Sequence, residues 1–271
     1  MAWKLPEEFE TDGGVIRWAQ LGAGGNPIVL VHGTAYSSFI WRDIAPALGL
    51  RRTVFVFDHL GYGQSEKREG QDLTLAAQAR RFVQLLDHWG LGEPSVVAHD
   101  IGGAIVLRAL LLDGAVYRDL TMVDAVSGGR WEGGLFHLIR TRPEVFEQLP
   151  DYAYEALVVG HFGNATHLGL RPEVLQTFLA PWRGPEGQAA YYRQYRQLSE
   201  SDTDPYETKL DEIDVPVKLV WGREDRILPS EHATWLQERI PHARLHWIAD
   251  AGHLVQEDAP AQLLSHLLGD F

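Results

Sequence analysis

Apolar and polar positions along this chain repeat with two periods, and the changes between them mark its elements. Residues 15–21 alternate apolar with polar, as a strand with one buried face does. Residues 28–31, 53–57, 95–98, 120–123 and 217–221 are short, mostly apolar runs rich in β-branched or aromatic side chains, which predicts strands buried on both faces. Residues 244–248 add a further strand. Between them the period lengthens to that of a helix. Leu75, Ala79, Phe82, Val83, Leu86 and Trp89 share one helical face, with Asp72 or Thr74 available as cap and Gly90 as stop. Residues 41–48 and 230–239 read as helices. Residues 104–112 form a helix apolar almost all round, and Asp258-Ala-Pro260 caps a last helix buried through Leu263, Leu264, Leu267 and Leu268. Strand alternating with helix predicts an α/β fold, a mostly parallel sheet flanked by helices with right-handed crossovers.

The alternation stops near Gly128. Up to about Lys209 there is no convincing strand, only helical stretches near 145–160 and 172–179 and many aromatic residues. This predicts an inserted helical cap at 129–209 between two parts of one core, 1–128 and 210–271. For most of the aromatic side chains the expected role is packing the cap onto the core.

Ser95-Val-Val-Ala-His-Asp100-Ile-Gly-Gly-Ala104 carries the most chemistry. A buried strand must turn sharply into a helix here, with Asp100 at the apex: the nucleophile-elbow pattern with Asp where Ser is usual. A carboxylate attacks without prior deprotonation, which suits displacement at an sp³ carbon and formation of an alkyl-enzyme ester. The plainer alternative is a helix N-cap, a position that Asp favours. Ile28–Val31 ends in His32-Gly33-Thr34, where Gly33 lets the backbone come close and the Thr34 and Ile101 N–H groups can form an oxyanion hole. His32 reads as a loop-holding histidine, and Asp58-x-x-Gly-x-Gly-x-Ser65 as a structural turn that lacks the residues of a phosphate loop. Asp225 and His253 both follow strands, at the sheet edge where open α/β folds bind ligands.

Composition narrows the partners. A 271-residue chain with 45% hydrophobic residues supports a large core, while a formal charge of −13 disfavours nucleic acid and anionic membranes. Cysteine is absent, which excludes disulfides and thiolate metal sites. The opening Met-Ala-Trp-Lys-Leu-Pro-Glu-Glu lacks the basic and apolar regions of a secretion signal, and no apolar run is long enough to span a membrane, so the expected location is cytoplasmic. The expected partner is a small, largely apolar, neutral organic substrate, with no cofactor and no metal; a homodimer is left open.

His32-Gly33, Asp58-x-x-Gly-x-Gly-x-Ser65, the elbow, Gly222-x-x-Asp225 and Gly252-His253 together resemble the α/β-hydrolase fold superfamily along nearly the whole core. Ala-His-Asp100-Ile-Gly-Gly is similar to its aspartate-nucleophile branch, the epoxide hydrolases and the haloalkane or haloacetate dehalogenases. The resemblance implies that Asp100 attacks carbon, that His253 activates the water which cleaves the ester, and that Asp225 orients His253. Asp124 lies where some dehalogenases place that acid and is the reserve candidate. Haloalkane dehalogenases hold halide with a Trp after the nucleophile and an Asn after His-Gly; Ile101 and Thr34 stand there. Haloacetate dehalogenases use arginines just after the nucleophile, where this chain has Ile101 and Ala104. The Ser37-Ser-Phe-Ile-Trp41-Arg42 stretch does look like dehalogenase sequence, which puts Trp41 among the expected substrate-binding positions with Thr34 and Ile101. Epoxide hydrolases protonate the opening ring from a cap tyrosine in a Tyr-Arg context, and Tyr192-Arg193 fits, with His137, Tyr152, Tyr154 or His161 as second donor. Ala35 replaces the proline that both groups carry after His-Gly. The resemblance thus implies an epoxide hydrolase first, a dehalogenase second, and a non-catalytic binding member of the fold third.

Overall fold

The computed structural model describes residues 3–131 and 133–269. Eight strands form one sheet: β1 (Glu7–Thr11), β2 (Gly14–Leu21), β3 (Ile28–Val31), β4 (Val54–Phe57), β5 (Ser95–Asp100), β6 (Asp119–Ala125), β7 (Val217–Gly222) and β8 (Arg244–Ile248). Their order is β1-β2-β4-β3-β5-β6-β7-β8. The β1–β2 and β2–β4 pairs are antiparallel and the rest parallel, as the alternating pattern predicts. β1 is absent from the sequence reading. It is a charged edge strand in which Phe9 alone is a large apolar residue, and charge at an edge discourages pairing with other chains while hiding the strand's periodicity.

Six longer helices matter for the site: α1 (Leu75–His88), α2 (Ile101–Leu112), α3 (Gly134–Thr141), α4 (Asp151–Asn164), α5 (Pro172–Leu179) and α6 (Gly184–Arg196). Thr74 caps α1 by accepting from Ala77 N–H at 3.3 Å. The helix expected at 41–48 divides into a 3₁₀ turn, Ser38–Trp41, and a short helix, Ala45–Leu48, because Pro46 fits only a first helical turn. The helix expected near 145–160 breaks before Pro150 for the related reason that the residue preceding a proline avoids the helical region. Asp258 does not cap the last helix, Pro260–Leu268. Its carboxylate instead accepts the N–H groups of Gly252 at 2.9 Å, His167 at 2.8 Å and Leu168 at 2.9 Å, tying the loop before His253 to the segment after α4. On that last helix Leu263 and Leu267 are buried, Leu264 is half-buried, and Leu268 is 44% exposed.

Two apolar clusters cover the two faces of the sheet. One contains Leu75, Phe82, Leu85, Ile105 and Leu107 from α1 and α2, together with Leu198, Tyr206, Leu210 and Ile213. The other joins Trp41, Ile44 and Leu48 to aromatic side chains of the helical segment, Phe162, Phe178 and Tyr191 among them. The segment between β6 and β7 contains no strand among the described residues, and its helices α3 to α6 lie over the strand ends. No described helix is long and apolar enough to cross a membrane.

Candidate active site

β5 lies between β3 and β6, and all six of its residues are buried. A strand so placed can expose function only at its end. The β5–β6 pairing slips there, so that Asp100 faces Ala125 rather than Asp124. Asp100 turns into α2 with φ 52°, ψ −128°, a strained conformation for a residue with a side chain, and makes no side-chain capping bond to that helix. Oδ1 accepts the Thr34 N–H at 2.8 Å, and the Ile101 N–H also reaches the carboxylate. The close approach needs a glycine at 33: a methyl group there would lie 2.3 Å from Asp100 Cβ.

Oδ2 lies 3.3 Å from His253 Nε2, and His253 Nδ1 donates to Asp225 Oδ2 at 2.9 Å. The other Asp225 oxygen accepts the N–H groups of Ile227 at 2.7 Å and Leu228 at 3.0 Å, which immobilises it. The side chains of His253 and Asp225 are buried. Burial alone would push the His253 imidazole down, but Asp225 and Asp100 outweigh it and hold the ring well above its ordinary value. Asp100 is also buried, which opposes its charge, yet His253 and the Ile101 N–H keep it below the usual carboxylate range. In the free protein the pair is therefore a carboxylate beside an imidazolium.

Neighbouring histidines stay neutral. His32 donates from Nδ1 to Gly33 O at 2.9 Å and accepts the His59 N–H at Nε2, also at 2.9 Å; burial lowers it to about 3. It braces the loop that presents Thr34. His99 donates from Nε2 to the His253 carbonyl at 3.0 Å and is likewise lowered to about 3 by burial. Asp58 fixes the Asp58–Ser65 turn by accepting Ser38 N–H at 2.7 Å and Gln64 N–H at 2.6 Å. Arg42 makes a two-pronged ion pair with Glu257, at 2.5 and 2.7 Å, which ties the His-Gly side to the helix after His253.

Asp100 and His253 form the floor of a cavity of about 600 Å³, walled by Tyr36, Trp131, Leu157, His161 and Tyr195 among others. Thr34 and Ile101 also line it. The remaining expected positions do not. Tyr192 is fully buried outside the cavity against Phe146, Tyr154 and Tyr191, and its hydroxyl meets no partner among the described residues. Tyr195, one turn further along α6, faces the cavity instead, its hydroxyl 3.2 Å from that of Tyr191 and 3.4 Å from His161 Nε2. Trp41 is buried core, Tyr154 spends its hydroxyl on the Trp182 carbonyl at 2.9 Å, Tyr152 is 81% exposed, and His137 is an exposed residue of α3 outside the cavity wall. Asp124 contacts Asp225 rather than taking its place beside His253. Tyr36, on which no sequence motif falls, also lines the cavity. Its buried hydroxyl has no partner among the described residues, and burial together with Asp100 pushes it well above the ordinary phenol value. Its signal was position, two residues beyond Thr34 on the same loop.

A family model described as the alpha/beta hydrolase fold matches residues 26–260. The chain belongs to the α/β-hydrolase fold family. A solved α/β-hydrolase fold protein from Burkholderia ambifaria is 42% identical, with 98% of each chain covered and a TM-score of 0.94. An acetyltransferase component of an acetoin cleaving system from Pseudomonas putida is 26% identical across 97% of this chain and 68% of its own. The solved epoxide hydrolase CorEH is 20% identical, with 97% and 96% covered and a TM-score of 0.76. Structures named as haloalkane dehalogenases and esterases superpose about as well on this α/β-hydrolase, so likeness of this degree shows the fold alone.

Proposed function

We propose that this α/β-hydrolase uses Asp100 as a covalent nucleophile, and that an epoxide giving a vicinal diol is the substrate class its site fits best. The observation that carries this reading is the setting of the Asp100 carboxylate. It leaves α2 uncapped, gives Oδ1 to the Thr34 N–H, and holds Oδ2 beside His253 on the cavity floor. A capping aspartate would point the other way.

Oδ2 attacks a ring carbon from the cavity floor, and the C–O bond breaks as the ester bond to Asp100 forms. The ring oxygen leaves as a strong base and needs a proton. Tyr195 and Tyr36 face the same cavity, and burial keeps both phenols protonated at neutral pH. Tyr195 stands in the cap-tyrosine role that the resemblance implies for Tyr192, and His161, held neutral by burial at about 4, lies 3.4 Å from its hydroxyl and orients it. Once Asp100 is an ester it has lost its charge, so the His253 imidazolium is held less strongly and releases its Nε2 proton, which replaces the one that Tyr195 gave to the ring oxygen; the neutral imidazole then accepts a proton from water. That water attacks the ester carbonyl carbon. The negative charge then grows on Oδ1, where the Thr34 N–H already lies. Collapse releases the diol and restores Asp100. The mostly apolar walls suit a small neutral substrate.

The test is His253→Gln with styrene oxide, followed by intact-protein and peptide mass spectrometry. An adduct on the peptide containing Asp100 is expected. Halide release from 1,2-dibromoethane or chloroacetate by the parent protein, with no diol from the epoxide, overturns the substrate assignment; an adduct elsewhere, or none, overturns the nucleophile.

A further inference from the structure

Asp124 is a buried acid that the reaction above does not use. It sits where β6 slips past β5, with φ 40° and no exposed surface. Its Oδ1 accepts the Gly222 N–H at 2.8 Å. Its Oδ2 is buried and meets no N–H or hydroxyl donor among the described residues, and the Asp124 carboxyl lies within hydrogen-bonding reach of the Asp225 carboxylate. Asp225 in turn receives three N–H donors, from Ile227, Leu228 and His253. A carboxylate has roughly four lone-pair directions, so about one is left over.

The titratable groups facing Asp124 are Asp225, from the loop after β7, and His253, from the loop after β8. His253 already lies between Asp225 and Asp100. A third ionised carboxylate around one imidazolium, in a fully buried site, would be a buried charge lacking its own counter-charge. Placing a proton between the two touching carboxyl groups removes that charge and fills both open hydrogen-bonding positions at once.

We propose that Asp124 is a neutral carboxylic acid whose Oδ2–H donates to Asp225, making it the positioning residue that completes the Asp225 shell and holds that carboxylate in line with His253. Burial and the Asp225 charge both push the Asp124 carboxyl well above the carboxylate range, in keeping with this assignment. The acid at the end of β6 is thus a hydrogen-bond donor to the acid after β7, and no second counter-charge to the histidine.

Its test has one arm that needs no substrate. In the infrared difference spectrum between the parent and Asp124→Asn at pH 7, loss of a carboxylic-acid C=O band is expected; loss of carboxylate bands overturns the proposal. The kinetic arm rests on the covalent reading of Asp100. Asp124→Asn keeps an oxygen for Gly222 and an N–H for Asp225, so its rates should stay within about threefold of the parent, whereas an ionised Asp124 replaced by an amide would cost about tenfold or more. Asp124→Leu keeps the branched shape but removes both the donor to Asp225 and the acceptor of the Gly222 N–H, and should slow ester hydrolysis by roughly tenfold with less change in KM. If no epoxide or halide is turned over at all, the infrared arm still decides on Asp124 while the functional reading fails separately.

Discussion

The sheet edge and the helical wall enclose one cavity, but they locate their side chains by different physics. At the edge each residue of the proposed triad ends or follows a strand: Asp100 closes β5, Asp225 follows β7 and His253 follows β8. Parallel pairing sets those strand ends level, so the residues meet without further specification. On the wall, position depends on helix phase. Tyr191, Tyr192 and Tyr195 occupy one helix, and only the rotation of α6 against α3 and α4 decides that Tyr195 faces the cavity while Tyr192 is packed away from it. Side chains pinned by backbone pairing should therefore be the least replaceable, and wall residues should be graded by where they point.

The largest effect is expected from the edge. Asp225→Asn removes the main group raising His253; under the proposed triad, in which Asp225 orients His253, the fold should survive and kcat should fall on the order of 10⁴-fold. The same variant can be followed by NMR titration of His253. In the parent the ring should be an imidazolium at pH 7, and in Asp225→Asn it should lose its proton at a lower pH. Because the folded value is raised, the pairing stabilises the protein fully below the unfolded value of about 6.5 and is lost as pH rises through the folded value. Denaturant unfolding of the parent should therefore show stability falling above that pH, and the variant should show a smaller fall. An unchanged titration would break the link between Asp225 and His253.

Intermediate effects are expected on the wall, and they differ between two tyrosines three residues apart. Tyr195→Phe should slow alkylation by Asp100 roughly 10²–10³-fold if its hydroxyl acts like an oxyanion-hole donor, with ester hydrolysis affected less. Tyr192→Phe removes a buried hydroxyl that has no partner among the described residues, so its rates should match the parent and its stability should hold or rise slightly. Single-turnover kinetics of both variants with styrene oxide check the contrast. The reverse order would mean that α6 presents its other face during catalysis. At the outer limit, Tyr152→Ala changes an 81% exposed side chain and should alter stability by no more than about 0.5 kcal/mol, with no effect on turnover.

The sequence by itself determined the fold class, seven of the eight strands and the three loops that meet at the site, because strand burial and Gly-bounded turns leave a pattern two to eight residues long. It also located the elbow, since only a few residue types allow a strand to turn into a helix so sharply. What the tertiary structure alone decided was the direction of side chains on the inserted helices. Tyr192 and Tyr195 carry the same chemistry in the same helix, and no local pattern says which will be sealed into packing. Tyr36 is another case: a loop aromatic becomes a cavity wall only once Phe162 and Phe178 pack against its ring. So is Asp258, read as a helix cap from its place before Pro260. Its carboxylate binds backbone N–H groups about ninety residues away in the chain, a pairing that exists only after the helical segment has closed over the strand ends. Local periodicity reports burial; contacts between distant segments decide orientation, and here orientation separates a cavity-lining tyrosine from a packing one.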